Sequence, residues 1–123
     1  MIREILLVGA GGFAGSVCRY LVSTGIAALS LPTAFPLSTF SVNIAGSMLI
    51  GFFMSLTAHN WLIFLGVGGF CGGFTTFSTF SAEVLAMVKA SQWALAAGYI
   101  FLSAAVCVAA VALGLWLGKT LIS

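Results

Sequence analysis

The sequence predicts an all-α membrane protein of four transmembrane helices, the third of them broken near its middle. Three observations carry that expectation. Of 123 residues, 62% are hydrophobic and only 5% charged, whereas soluble domains run roughly 45–50% apolar and about 25% charged. The mean hydropathy is +1.25; a soluble fold of this size could not hide so much apolar surface, so lipid is the solvent for most of the chain. The apolar residues also fall into runs of the length that crosses a bilayer, about 20 residues each.

Those runs are Ile5–Leu29, Leu37–Leu56, Trp61–Val88 and Trp93–Leu117, divided at Ser30–Pro36, Thr57–Asn60 and Lys89–Gln92. They read as one four-span domain over residues 1–123. The only two prolines, Pro32 and Pro36, stand in the first division. Met1-Ile2-Arg3 offers a short basic start, but the apolar run behind it outlasts a signal peptide's h-region of about 7–15 residues, so it reads as a retained span. Residues 4–14 contain Gly9, Gly11 and Ala14 at the spacing of a dinucleotide fingerprint. That motif requires an acidic residue about 20 positions on, and none lies between Glu4 and Glu83. Helix packing explains the glycines instead. Small residues four apart recur at Gly11/Gly15, Gly68/Gly72, Gly69/Gly73 and Gly114/Gly118, the pattern that lets membrane helices approach closely.

The third span is too long for one straight helix, and its middle, Gly68 to Phe80, is rich in Gly, Thr and Ser. Such residues continue a helix poorly, so an interruption is expected near 72–79. Broken backbone at membrane depth survives only where protein buries it or a polar cavity receives it, which makes this span the functional candidate. Four helices alone give a pore little wall, so association of identical copies is expected. Arg3 and Lys119 fall on one face, and Lys89 on the other, joined by Arg19 if it snorkels there. Such a near-balance fails to fix orientation by the positive-inside rule.

The polar residues within the spans carry the chemistry. There is no Asp; Glu4 and Glu83 are the only acids, and a formal charge of +2 is too small to point to nucleic acid. Cys18, Cys71 and Cys107 lack a C-x-x-C spacing and read as small core residues. Thr39, Asn43 and Ser47 lie four residues apart in the second span, as do Tyr99, Ser103 and Cys107 in the fourth; each set shares one helix face. An ionisable group deep in a bilayer asks for a reason. Glu83 is expected either to bond donors on neighbouring helices or to line a wet vestibule, and Arg19 to serve packing, topology or anion attraction. Phe70, Phe74, Phe77 and Phe80 form a stripe that is either plain packing or, at Phe77 and Phe80, a source of positive ring edges. Many donors and almost no carboxylates favour an anion over a cation. No nucleophile–base pair, phosphate loop or metal-ligand cluster is visible, which argues against an enzyme.

The run Gly69 to Ser81, GFCGGFTTFSTFS, resembles the signature of the Fluc (CrcB) fluoride-channel family, and the likeness extends through Gly11-Gly12, Gly15 and Arg19-Tyr20 in span one and Thr39, Val42-Asn43 and Gly46-Ser47 in span two. The resemblance implies an antiparallel, dual-topology homodimer in a bacterial-type inner membrane, with two fluoride pores along the subunit interface. By position it implies pore roles for Asn43, Phe77, Phe80, Tyr99 and Ser103, with Cys107 where the family often carries Ser. Ser78 and Thr79 are expected to add hydroxyl donors that replace fluoride's water shell. It further implies a structural Na+ held by backbone carbonyls of Gly72 and Thr75. The rival expectation is a small proton-coupled multidrug-type exporter built on Glu83; a structural subunit of a larger assembly is a third.

Overall fold

The computed structural model describes residues 1–56 and 60–122. Four of its helical segments are long and apolar enough to cross a membrane. Helix α1 spans Ile2–Ala28 and α2 spans Leu37–Ser55. The third span has two parts. Its first half, α3, covers residues 60–74 and is π-helical over Ile63–Cys71; its second half, α4, spans Phe77–Lys89. Helix α5 spans Trp93–Ile122. The expected division at Thr57–Asn60 falls largely on residues 57–59, which lie outside the described residues.

Local chemistry explains where these helices stop. After α1, Ser30 takes a left-handed φ of 50° and its N–H bonds the Ala27 carbonyl at 3.1 Å; Pro32 then prevents resumption of the helix. After α4, Ser91 is left-handed with φ 61°. Its N–H donates to Val88 at 3.0 Å and that of Gln92 to Met87 at 2.8 Å, the paired bonds of a Schellman cap. Between α3 and α4 the backbone is extended at Thr75 (φ −82°, ψ 159°) and Thr76 (φ −148°, ψ 117°). The interruption is therefore two residues wide, narrower than the 72–79 expected.

Packing rests on glycine. A Cβ on Gly11 would strike the Leu65 carbonyl and stand 2.8 Å from the Phe70 nitrogen, while one on Gly69 would meet the Val8 oxygen at 2.7 Å. One on Gly73 would meet the Gly12 oxygen at 2.6 Å. Helices α1 and α3 thus touch backbone to backbone and run parallel. Helices α2 and α5 also run parallel, Gly51 lying against Val111 and Gly114 against Met48, and the α1–α3 and α2–α5 pairs are the two extensive pairings in the fold. Three of the four small-residue pairs work as expected of close packing. Gly68 and Gly72 do not: both are exposed, and a Cβ on either would meet nothing nearer than 3.7 Å.

Candidate functional site

The break is held by side chains from two other helices. Asn43 on α2 forms a pair of hydrogen bonds with the Thr76 backbone: its Nδ2 donates to the Thr76 carbonyl at 3.1 Å and its Oδ1 accepts from the Thr76 N–H at 2.8 Å. An asparagine amide mimics a neighbouring strand here, satisfying both backbone groups of a residue that no helix can serve. Arg19 on α1 donates from Nε to the Gly73 carbonyl at 3.1 Å, placing its cation at the carbonyl end of α3, where the helix dipole is negative. It does not extend freely to the far interface. Thr75 folds back, its hydroxyl donating to the Cys71 carbonyl at 2.8 Å, and the Thr76 hydroxyl caps α4 by accepting from the Thr79 N–H at 3.2 Å.

Beside the break lies a cavity of about 570 Å³ walled by α2, α4 and α5. Asn43 and Ser47 line it from α2, Ser103 and Cys107 from α5, and Phe77 and Phe80 from α4. The two rings sit 5.6 Å apart and are tilted by 36°. Phe77 is 78% exposed although it projects from a membrane-spanning segment. Ser103 is only 8% exposed, and its hydroxyl has no hydrogen-bond partner among the described residues. A buried hydroxyl left unbonded costs about 1–3 kcal/mol, so a ligand that accepts a hydrogen bond is the natural complement. No carboxylate lines the cavity.

The structure separates the other expected site residues from this cavity. Tyr99 is 0% exposed and does not line it; its hydroxyl donates to Glu83 Oε1 at 2.8 Å. Thr39 donates to Glu83 Oε2 at 2.9 Å. The carboxylate is thus shared between donors on α2 and α5, the first of the two alternatives the sequence left open. Above it, the Phe35 ring meets Tyr99 edge-on at 5.2 Å and Phe40 at 5.0 Å, while Phe80 lies 4.8 Å from Tyr99. Ser78 and Thr79 are exposed on α4 and do not line the cavity. Helical periodicity accounts for this: once Phe77 and Phe80 face inward, Ser81 and Val84 follow them, and residues 78 and 79 point elsewhere. That signal was available in the sequence. Thr76, whose backbone the asparagine clamps, falls within the expected interruption, but nothing in the local sequence distinguishes it from Thr75.

Gly72 and Thr75 lie on either side of the turn into the break. The Thr76 N–H, which would bond the Gly72 carbonyl in a continuous helix, is donated to Asn43 instead. The Thr79 N–H, the corresponding partner of the Thr75 carbonyl, is donated to the Thr76 hydroxyl. Both carbonyls therefore lose their usual helical donors, which fits a hard cation bound by backbone oxygen. Among the described residues no cluster of His, Cys, Asp or Glu could hold a metal.

Comparison with known proteins gives a consistent set of relatives. The family profile described as CrcB-like protein, Camphor Resistance (CrcB), matches residues 6–115. A fluoride-specific ion channel, FluC, of Ruegeria sp. (strain TM1040) is 43% identical over 118 residues, covering 94% of each chain. The FluC of Elusimicrobium minutum is 38% identical across 99% of this chain and 98% of its own. That of Chlorobaculum tepidum is 45% identical across 81% and 82%.

Proposed function

The chain belongs to the CrcB-like protein family, and on that premise we propose that it is a fluoride-selective channel, a multi-pass protein of the bacterial inner membrane and not an enzyme. The observation that carries the proposal is the unpartnered, buried Ser103 hydroxyl beside a cavity lined by donors and two phenyl rings and by no carboxylate. Fluoride is small and strongly hydrated, so a selective path must replace its water with closely placed donors. Ser103, Ser47 and the second N–H of Asn43 supply them, and the positive edges of Phe77 and Phe80 add attraction in a dry setting. Flow is passive. A cell that takes up HF, which dissociates inside, loses the resulting anion down its gradient.

The cavity is open on the flank that carries Phe77, and exposed broken backbone is not stable against lipid. A second copy covering that flank resolves both, giving an antiparallel homodimer with two pores, each drawing on both chains. In that assembly the Gly72 and Thr75 carbonyls of both copies would hold a structural Na+. The exporter alternative finds little support, because both Glu83 oxygens already accept hydroxyl bonds and neither faces the cavity.

The test is fluoride efflux from liposomes followed with an ion-selective electrode. Phe77→Ile and Phe80→Ile keep an apolar side chain but remove the polarised ring edge. Efflux is expected to fall sharply while the protein remains folded, and Phe70→Ile, on the other side of the break, is expected to conduct. Undiminished efflux in both pore variants would return the rings to a packing role. Efflux that required a proton gradient would favour the exporter.

A further inference from the structure

Of the three cysteines, one stands in the cavity. Cys71 is fully buried and Cys18 lies on α1 away from the cavity, whereas Cys107 is half-buried on the cavity wall. It lies one helical turn beyond Ser103 on the same face of α5, and the two define adjacent rungs of one polar stripe. The Ser103 hydroxyl is more than nine-tenths buried and without a partner, so this wall is built to receive a ligand at the rung next to the thiol. We propose that Cys107 is a modification site in the ion path, at which a small neutral thiol-reactive compound, a low-molecular-weight disulfide in the simplest case, closes the channel reversibly. The inference rests on the fluoride-channel reading of the cavity.

The chemistry is thiol–disulfide exchange. The Cys107 sulfur, having released its proton, bonds to one sulfur of the disulfide; the S–S bond breaks, and the other half leaves as a thiolate that takes up the proton. No further oxidant is needed, and an added thiol reverses the step. A methylthio group fits readily in a space of about 570 Å³. Its effect is chemical as well as steric, since the S–H donor becomes an apolar cap. A dehydrated fluoride meeting that cap has lost a donor and gained an obstruction at the next rung after Ser103. Cys107→Ser keeps the donor and removes the reactive sulfur.

The experiment uses the full chain in liposomes treated with methyl methanethiosulfonate, from which the Cys107 thiolate takes the methylthio group while methanesulfinate, in place of a thiolate, leaves; adducts are located by peptide mass and fluoride efflux is measured on the same sample. The expected result is an adduct at Cys107, efflux reduced roughly tenfold or more, as suits the loss of a buried donor, and recovery with dithiothreitol. Cys107→Ser, compared with its own untreated rate, is expected to resist the reagent, and Cys107→Val to resemble the labelled protein. An adduct at Cys107 with unchanged efflux overturns the inference. So does an absent adduct at Cys107 while the unfolded chain labels there, or inhibition that persists in Cys107→Ser. Failure of the untreated protein to conduct fluoride overturns the channel reading instead, and the mass measurement distinguishes the two.

Discussion

At the scale of single residues, the polar groups inside this protein divide into those already bonded and those left free. Glu83 belongs to the first kind. Its two oxygens accept from Tyr99 and Thr39, residues 16 and 44 positions away. Interhelical hydrogen bonds in membranes are worth about 1–2 kcal/mol in model peptides. Tyr99→Phe and Thr39→Val are each expected to lower stability by about that amount, read as thermal unfolding in detergent. Glu83→Ala should cost more than either, because it strands two buried hydroxyls. Equal stability of all three variants with the parent would show that the triad does not hold the helices. The sequence marks Glu83 as a group needing donors and sets Tyr99 and Thr39 in polar stripes, Tyr99 with an expected pore role, but it does not show that these two hydroxyls serve the carboxylate. Pairings across three helices depend on tertiary register, which periodicity within one helix does not report. Asn43 illustrates the same limit. Its residue type and span were legible, yet its bond to the Thr76 backbone links residues 33 apart.

Among the elements, small residues in similar sequence settings have unlike duties. Gly9 and Gly11 are two positions apart on α1. A Cβ at Gly9 would meet nothing within 4 Å, whereas one at Gly11 would collide with α3 backbone. Gly9→Ala is expected to be neutral or to stabilise by up to about 1 kcal/mol, the propensity difference between Gly and Ala in a helix. Gly11→Ala is expected to destabilise by about 1–3 kcal/mol, as overpacking does, and backbone offers less room to yield than a side chain would. Opposite signs in detergent melts would bear this out; a tolerated Gly11→Ala would mean that α1 and α3 can separate. The break itself was legible, because Gly, Thr and Ser at membrane depth conflict with continuous helix. The π-helical winding of Ile63–Cys71 was not. It carries no compositional mark of its own, since its glycines suit close packing equally well.

For the whole molecule, the flank that exposes Phe77 and the exposed Gly68, Gly72, Ser78 and Thr79 are surface that either lipid or a second copy must cover. If copies pair there around Na+ held by Gly72 and Thr75 carbonyls, removing Na+ should loosen the dimer and reduce fluoride efflux. Retention of both in Na+-free buffer would argue against that site. Antiparallel pairing makes a further demand, that the chain insert both ways. The charges permit it. Arg3 and Lys119 mark one face and Lys89 the other, while Arg19 leaves the tally because it is bonded to Gly73 at the break. Two against one is a weak bias by the positive-inside rule. Adding two lysines at the C-terminus would raise the imbalance and is expected to drive most copies into one orientation. Impermeant labelling of a C-terminal tag on intact cells measures this directly, the outward fraction falling from roughly half toward zero. Efflux should fall in parallel, since uniformly oriented copies cannot form the antiparallel pair. Co-expression with a copy carrying extra lysines in the 89–92 turn, biased the other way, should restore it. A tag found only on the cytoplasmic side of the unmodified protein would sink dual insertion. Efflux that survived complete orientation bias would mean that the pore does not require opposed copies.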